Sequence, residues 1–348
     1  VSDLIKVADW AGQARATAIF VHGLGGHPYK TWRRAADDES FWPLWLARDI
    51  EGTSVYTLGY AAPPTNWLGT AMPLQDRVNN MRARLLAELG DGDAPIVFIC
   101  HSLGGLLVKQ LLLDLHQQKD RSPKSRVFLA RVRQVVFLAT PHTGAWHGSL
   151  LDKLSYLAWP SSISRVLVAN DPSLRHINVS YRGLADERRG QLEHRVFYET
   201  QATEVGVIVD EASADPGLPG EPPIAIDANH ISIVKPETCA ALQYVITRDF
   251  VAKIPKREGQ GDTFKTYPLQ EFKLQNPGNI TPKVVRVAAI LVVAIIVYMS
   301  GRTLTGDTAI ATCGSNSRVG WSLFSSVTIN GSRDCSNAGA RDAQRTKP

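Results

Sequence analysis

The chain has 348 residues, 44% of them hydrophobic and 20% charged, an ordinary globular composition that supplies a large core and excludes disorder over most of the length. Four cysteines, Cys100, Cys239, Cys313 and Cys335, are too few and too scattered for a disulfide scaffold or a zinc site. The net charge of +5 is local: residues 1–252 carry 25 Lys and Arg against 27 Asp and Glu, while residues 253–286 carry 7 against 3, so the main body lacks the basic face that nucleic-acid binding needs.

The first residues, Val1-Ser2-Asp3-Leu4-Ile5-Lys6, hold no basic segment followed by an apolar core, and no secretory signal is expected from them. Short apolar runs then alternate with helical patterns. Strands are predicted at Ala16–Val21, Ser54–Leu58, Pro95–Cys100, Gln134–Ala139, His194–Tyr198 and Pro223–Ile226. Between them, Leu74–Leu89 places Leu74, Val78, Met81, Leu85 and Leu89 on one helical face. The stretch Leu103–His116 is apolar on most sides, as a helix buried against a sheet should be. Strands alternating with helices imply a mostly parallel sheet with helices on both faces, filling residues 1–252. No internal repeat interrupts this plan.

Residues 143–193 break the rhythm. Leu150, Leu151, Leu154, Leu157 and Ala158 recur at helical spacing beside Trp146, Tyr156 and Trp159. They read either as a cap inserted beside a functional site or as a crossover helix packed on the sheet.

Beyond residue 252 the chain turns polar and basic, with Pro255, Pro268, Pro277 and Pro282, and reads as a linker over 253–282. Val287–Met299 is then thirteen consecutive apolar residues. At 1.5 Å per residue that core spans about 20 Å, against about 30 Å of membrane hydrocarbon. Extension from Val284 to Ser300 brings it to about 25 Å, with Arg286 close enough to one end to snorkel. A single membrane span over 283–301 is the favoured reading, and a buried soluble helix is the alternative. Lys265, Lys273, Lys283 and Arg286 precede the run and only Arg302 and Arg318 closely follow it, which would keep the N-terminal domain on the cytoplasmic side. The tail 302–348 is polar. If exported, its Cys313 and Cys335 could pair while Cys100 and Cys239 stay reduced.

The strongest chemical signal is Pro95-Ile96-Val97-Phe98-Ile99-Cys100-His101-Ser102-Leu103-Gly104-Gly105. A strand runs into a serine and directly on into an apolar helix, a sharp turn that exposes the serine Oγ at the sheet edge. The helix start aims its positive dipole end at the same spot, and the Leu103 N–H is placed to receive an oxyanion. A serine capping a buried helix is the competing reading. Cys100 stands where a G-x-S-x-G elbow has glycine, a small substituent that the turn can tolerate. A second strand, Thr17–Val21, ends in His22-Gly23-Leu24-Gly25-Gly26, where the Leu24 N–H is expected as the other oxyanion donor. The loop has neither of the glycine spacings that cradle phosphates.

A nucleophilic serine needs a base, and the base needs an acid to hold its tautomer. His230, in the loop after Pro223–Ile226, is the expected base. His22 and His142, at strand ends, are expected to shape loops, and position singles out none of His27, His101, His116, His147, His176 and His194. For the acid, Glu199, Glu204, Asp210 and Glu211 all lie after the strand His194–Tyr198, and spacing does not separate them.

Several stretches carry a resemblance: Val21–Gly26, Pro95–Gln110, Phe137-Leu138-Ala139-Thr140-Pro141-His142-Thr143-Gly144, Phe197-Tyr198-Glu199-Thr200, and Ser213-Ala214 leading to Asp227-Ala228-Asn229-His230 with Lys235-Pro236 behind. In order and content they resemble the lipase and esterase branch of the α/β-hydrolases. The likeness is to the serine active site-containing proteins, the hydrolase domains of fungal NACHT proteins and, more distantly, the GPI inositol-deacylases. It covers about residues 15–240. It implies an α/β-hydrolase fold, a triad of Ser102, His230 and Glu199, no metal or organic cofactor, and a lipid or other acyl-ester substrate. A thioesterase or amidase on a soluble substrate, or a hydrolase fold kept as a membrane-anchored interaction module, are the other readings.

Overall fold

The computed structural model describes residues 2–60, 74–142, 172–218, 220 and 222–268. Eight strands form one sheet: β1 (Ser2–Gly12), β2 (Ala16–Val21), β3 (Thr53–Tyr60), β4 (Ile96–His101), β5 (Val132–Leu138), β6 (Glu193–Glu199), β7 (Ile224–Ile226) and β8 (Gln260–Thr266). Their order across the sheet is β7-β6-β5-β4-β2-β3-β1-β8. The strands from β3 through β2, β4, β5 and β6 to β7 pair in parallel, and only β1 runs against its neighbours on both sides. Every residue of β2, β3 and β4 is buried, because parallel strands covered on both faces need apolar or small side chains at every position.

Seven helices complete the described fold: α1 (Trp42–Asp49), α2 (Leu74–Leu89), α3 (Leu103–Gln118), α4 (Pro123–Arg131), α5 (Pro172–Glu187), α6 (Glu211–Ala214) and α7 (Leu242–Val251). They form two layers. On one face α2, α4 and α5 pack around α3. On the other, Trp42 and Trp45 of α1 meet Tyr244 of α7 edge to face at 6.1 and 5.4 Å. Phe20 of β2 anchors that second layer, in edge-on contact with Trp32 at 5.1 Å and Trp42 at 4.7 Å. In the first layer the amine of Lys109, buried in α3, donates to Asn178 Oδ1 of α5 at 2.6 Å and lies over the rings of Phe137 and Tyr181. Burial holds that amine well below the ordinary lysine range.

The chain does not leave the sheet at residue 252. Strand β8 pairs with β1 from Ala8↔Thr266 to Gly12↔Gln260, and the approach to it is tied down by Lys256–Glu51 and Arg257–Asp93 ion pairs and by Arg15, which donates to the Ala252 and Ile254 carbonyls. The polar, Pro-marked composition expected of a linker here is that of an edge strand, whose outward side meets water. Of residues 143–193, the described portion is α5, a crossover helix between parallel β5 and β6; residues 143–171 lie outside the described residues. So do the expected span at 283–301 and the tail at 302–348. Among the described residues no helix is long and apolar enough to cross a membrane.

Candidate active site

Chain direction sets the place of the site. The order reverses between β2 and β4, since β3 lies beyond β2 on one side and β5 beyond β4 on the other. In such sheets a crevice opens outside the carboxyl ends of the strands at that switch point. The loops leaving β2 and β4 there carry His22–Gly26 and Ser102.

Ser102 joins β4 to α3 with φ 49° and ψ −123°, a positive φ that side chains other than glycine rarely adopt. Its N–H donates to the Leu138 carbonyl at 3.0 Å and its carbonyl accepts from Gly105 N–H at 3.0 Å, so the turn is fixed from both sides. The tight turn demands bare backbone around it. A Cβ on Gly104 would land on the carbonyl oxygens of Val21 and His22, and one on Gly23 would sit 2.9 Å from the Ser102 Cβ. The thiol of Cys100 fits because it belongs to the strand, fully buried between Val21 and Phe137 in the ladder. Burial raises that thiol well above its usual range, away from the reactive thiolate.

The Ser102 hydroxyl lies 3.0 Å from Nε2 of His230. The other ring nitrogen, Nδ1, lies 2.8 Å from Glu199 Oε2. With a carboxylate on that side, Nδ1 carries the proton and donates, and Nε2 is left as the acceptor for the serine proton. Glu199 ends β6 and is 1% exposed. Its second oxygen accepts from the N–H groups of Ile208 at 2.6 Å and Val209 at 3.0 Å. Three donors thus fix the carboxylate. The other acidic candidates stand elsewhere: Glu204 and Glu211 are exposed, and the exposed Asp210 caps α6 by accepting from Ser213 N–H at 2.9 Å.

Leu103 opens α3, where the first N–H groups have no intrahelical acceptor. Leu24 lies within the turn closed by Gly26 N–H to the Gly23 carbonyl at 3.1 Å, and no hydrogen bond among the described residues uses its N–H. That loop is shaped by His22. Its Nδ1–H donates to the Gly23 carbonyl at 2.9 Å, its ring stacks on Tyr60 at 4.2 Å, and its carbonyl accepts from the Tyr60 hydroxyl. Burial lowers the His22 pKa to about 4, so the ring is neutral and keeps one donor and one acceptor nitrogen. His142 is buried edge-on against Phe137 at 4.6 Å, its backbone N–H bound to the Ser213 carbonyl.

Position in the sequence did not mark His101, yet it enters the site: its Nε2 lies 3.0 Å from the backbone carbonyl of His230. Its place next to the serine at a strand end was the available signal, since residues there face the loops. Among the described residues no group of three or more His, Cys, Asp or Glu is placed to hold a metal ion.

The mostly parallel sheet and the strand–turn–helix elbow at Ser102 are features shared with α/β-hydrolases. No family model matches the chain. It is 29% identical over 269 residues to Protein SERAC1 of Mus musculus, covering 70% of this chain and 40% of that protein. The chain thus spans about two fifths of the length of the curated relatives it matches. Among solved structures it is similar to a lipase-esterase related protein from Clostridium acetobutylicum, with a TM-score of 0.41 and 12% identity over 73% of this chain and 99% of that one. It is also similar to an acetyl ester-xyloside bifunctional hydrolase from Caldicellulosiruptor lactoaceticus, with a TM-score of 0.46 and 18% identity over 73% and 88%.

Proposed function

We propose that this chain is a serine hydrolase that cleaves carboxylic esters through an acyl-enzyme. The observation that carries the reading is the continuous relay from Ser102 Oγ to His230 Nε2 and from His230 Nδ1 to Glu199, at 3.0 and 2.8 Å. In the reaction Ser102 Oγ bonds to the ester carbonyl carbon as its proton passes to His230 Nε2. The resulting oxyanion accepts from the N–H groups of Leu103 and Leu24, each donor of this kind being worth about 2.7–4 kcal/mol of barrier. Collapse expels the alcohol, which leaves with the proton from His230. Water then attacks the acyl-enzyme with the same base, and Ser102 is regenerated. Glu199 holds the ring in the productive tautomer and stabilises its cationic form throughout.

The substrate class in this proposal is a lipid or other membrane-associated ester. Its support is the family resemblance together with the basic stretch and apolar run that follow the catalytic domain. In this reading residues 283–301 are a single membrane tether, and the charges of Lys273, Lys283 and Arg286 beside its N-terminal end favour an anionic cytoplasmic leaflet. No cofactor takes part.

One experiment addresses chemistry and substrate together: a membrane lipid extract digested with wild type and with Ser102→Ala, read by mass spectrometry. Acyl products should form with the wild type alone. A fluorophosphonate probe that leaves the folded wild type unlabelled at Ser102 would overturn the catalytic reading. Turnover of soluble acyl thioesters or amides with no lipid consumed would overturn the substrate class.

A further inference from the structure

The loop that carries His230 is held by its backbone from two directions. From the acid's side, the N–H groups of Thr200 and Gln201, the two residues after Glu199, donate to the Ala228 carbonyl at 3.2 and 3.0 Å. From the nucleophile's side, His101, the residue before Ser102, reaches the His230 carbonyl through Nε2 at 3.0 Å. Asn229 between them closes a local turn, its Oδ1 accepting from the N–H groups of Ile231 and Ser232, both at 3.0 Å. One neighbour of each other triad member, Thr200 beside Glu199 and His101 beside Ser102, therefore grips the base loop.

We infer that His101 is a positioning residue for the base: its Nε2–H fixes the backbone of His230 and so sets the distance between the imidazole and Ser102. This rests on the reading of His230 as the general base. The Ala228 contacts stop two residues short of His230, and the Asn229 turn is internal to the loop. Without His101, the only hydrogen bonds among the described residues that tie His230 itself to β4 and β6 are those of its ring to Ser102 and Glu199. The His101 ring is also wedged between two parts of the site. It lies 4.9 Å from the His230 ring, centroid to centroid, and a Cβ on Gly23 of the Leu24 loop would come within 3.1 Å of its Nδ1. A neutral ring suits that place, since His230 becomes cationic in each turnover and a second cation beside it would oppose the step. Burial supplies the neutrality, lowering the His101 pKa well below the usual histidine value.

The test compares His101→Phe, which keeps a ring and loses the donor, with His101→Gln, whose amide N–H reaches about as far as Nε2. Both are made in the full chain and assayed on a p-nitrophenyl ester, with backbone hydrogen exchange followed in parallel. A displacement near 1 Å costs about 10²-fold in rate. His101→Phe is therefore expected to lower kcat about 10- to 100-fold with KM little changed, and to speed exchange at residues 228–233 selectively; His101→Gln should recover most of both. A His101→Phe protein with wild-type kcat and wild-type exchange at 228–233 overturns the inference, as does His101→Gln behaving like His101→Phe. If His101→Phe does not fold, His101→Asn takes its place, because its amide is too short to reach the carbonyl. If the wild type itself hydrolyses no ester and takes no fluorophosphonate, the catalytic reading fails, and the exchange at 228–233 alone decides whether His101 holds the loop.

Discussion

Ser102 reaches His230 across 128 positions of chain because a strained turn and a pinned loop converge: the serine holds φ 49°, and its hydroxyl lies 3.0 Å from the imidazole. A non-glycine residue in that conformation stores about 1–3 kcal/mol. Only a site that needs the hydroxyl there has reason to keep it. Ser102→Gly releases the strain and Ser102→Ala does not, although glycine loses about 0.5–1 kcal/mol more chain entropy on folding. Ser102→Gly should therefore be the more stable of the two by about 1–2 kcal/mol in urea titrations, with esterase activity absent from both. Equal midpoints would mean that the strain at Ser102 is no larger than the about 0.5–1 kcal/mol that glycine loses in chain entropy.

Glu199 accepts from two backbone N–H groups on one oxygen and from His230 on the other. In Glu199→Gln the amide oxygen can keep the Ile208 and Val209 donors, which leaves an NH2 facing the His230 Nδ1–H. Donor then meets donor. The ring relieves this by moving its proton to Nε2, where it can no longer accept from Ser102. In a well-studied protease the equivalent carboxylate-to-amide change lowers kcat about 10⁴-fold, and a loss of that order is expected here. Asp210→Asn, which still caps α6, should keep its turnover and stay within about 0.5 kcal/mol of wild-type stability. Comparable losses in the two variants would remove Glu199 from the relay.

Buried parallel strands were legible because both of their faces must be apolar, so β2, β4 and β5 stand out as continuous runs. The edge was not. In β1 the burial pattern is mixed, and β8 reads Gln-Gly-Asp-Thr-Phe-Lys-Thr, a composition shared with linkers. The positions of Ser102 just after β4 and of His230 in the loop after β7 could be read from a strand followed by a turn, which is local information. Glu199 could not be told from Glu204, Asp210 or Glu211 by spacing, because what distinguishes it is a pair of backbone donors nine and ten residues later. His101 was harder still, since its partner is a main-chain oxygen that carries no side-chain signature at all.

Gly104 and Gly183 should respond to alanine with opposite signs. At Gly104 the new methyl would overlap the carbonyl oxygens of Val21 and His22 at the end of β2, and backbone there has nowhere to yield without moving the loop His22–Gly26. Overpacking of this kind costs about 1–3 kcal/mol. Gly183 is exposed on α5 with nothing within 4 Å of the added Cβ, so helix propensity alone decides, in alanine's favour by about 0.8–1 kcal/mol. Thermal melts of the two variants check both signs. Gly104→Ala should also lose esterase activity more steeply than stability, because the displaced segment carries the Leu24 N–H.

Buried bases make the fold acid-sensitive independently of catalysis. Burial lowers the pKa of His22 to about 4 and of His194 to about 3, and holds His101 and His142 well below the usual histidine value. As pH falls through about 6.5 the unfolded chain takes up protons at these positions. The folded chain does not, until its own lower values are reached. The unfolded state thus binds more protons over that window, and stability must fall with pH, by up to about 1.4 kcal/mol per pH unit for each such group. Lys109 has the same sign at higher pH: its own contribution to stability rises toward about 10.4, and Lys109→Met should remove that contribution. His142 offers the cleanest acid test, because neither ring nitrogen has a hydrogen-bond partner among the described residues. His142→Phe removes one titrating group without breaking a bond and keeps the ring contact with Phe137. Urea titrations between pH 7 and pH 5 should show a shallower decline in the variant than in the wild type; parallel curves would mean that the His142 ring is protonated as readily in the folded protein as in the unfolded chain.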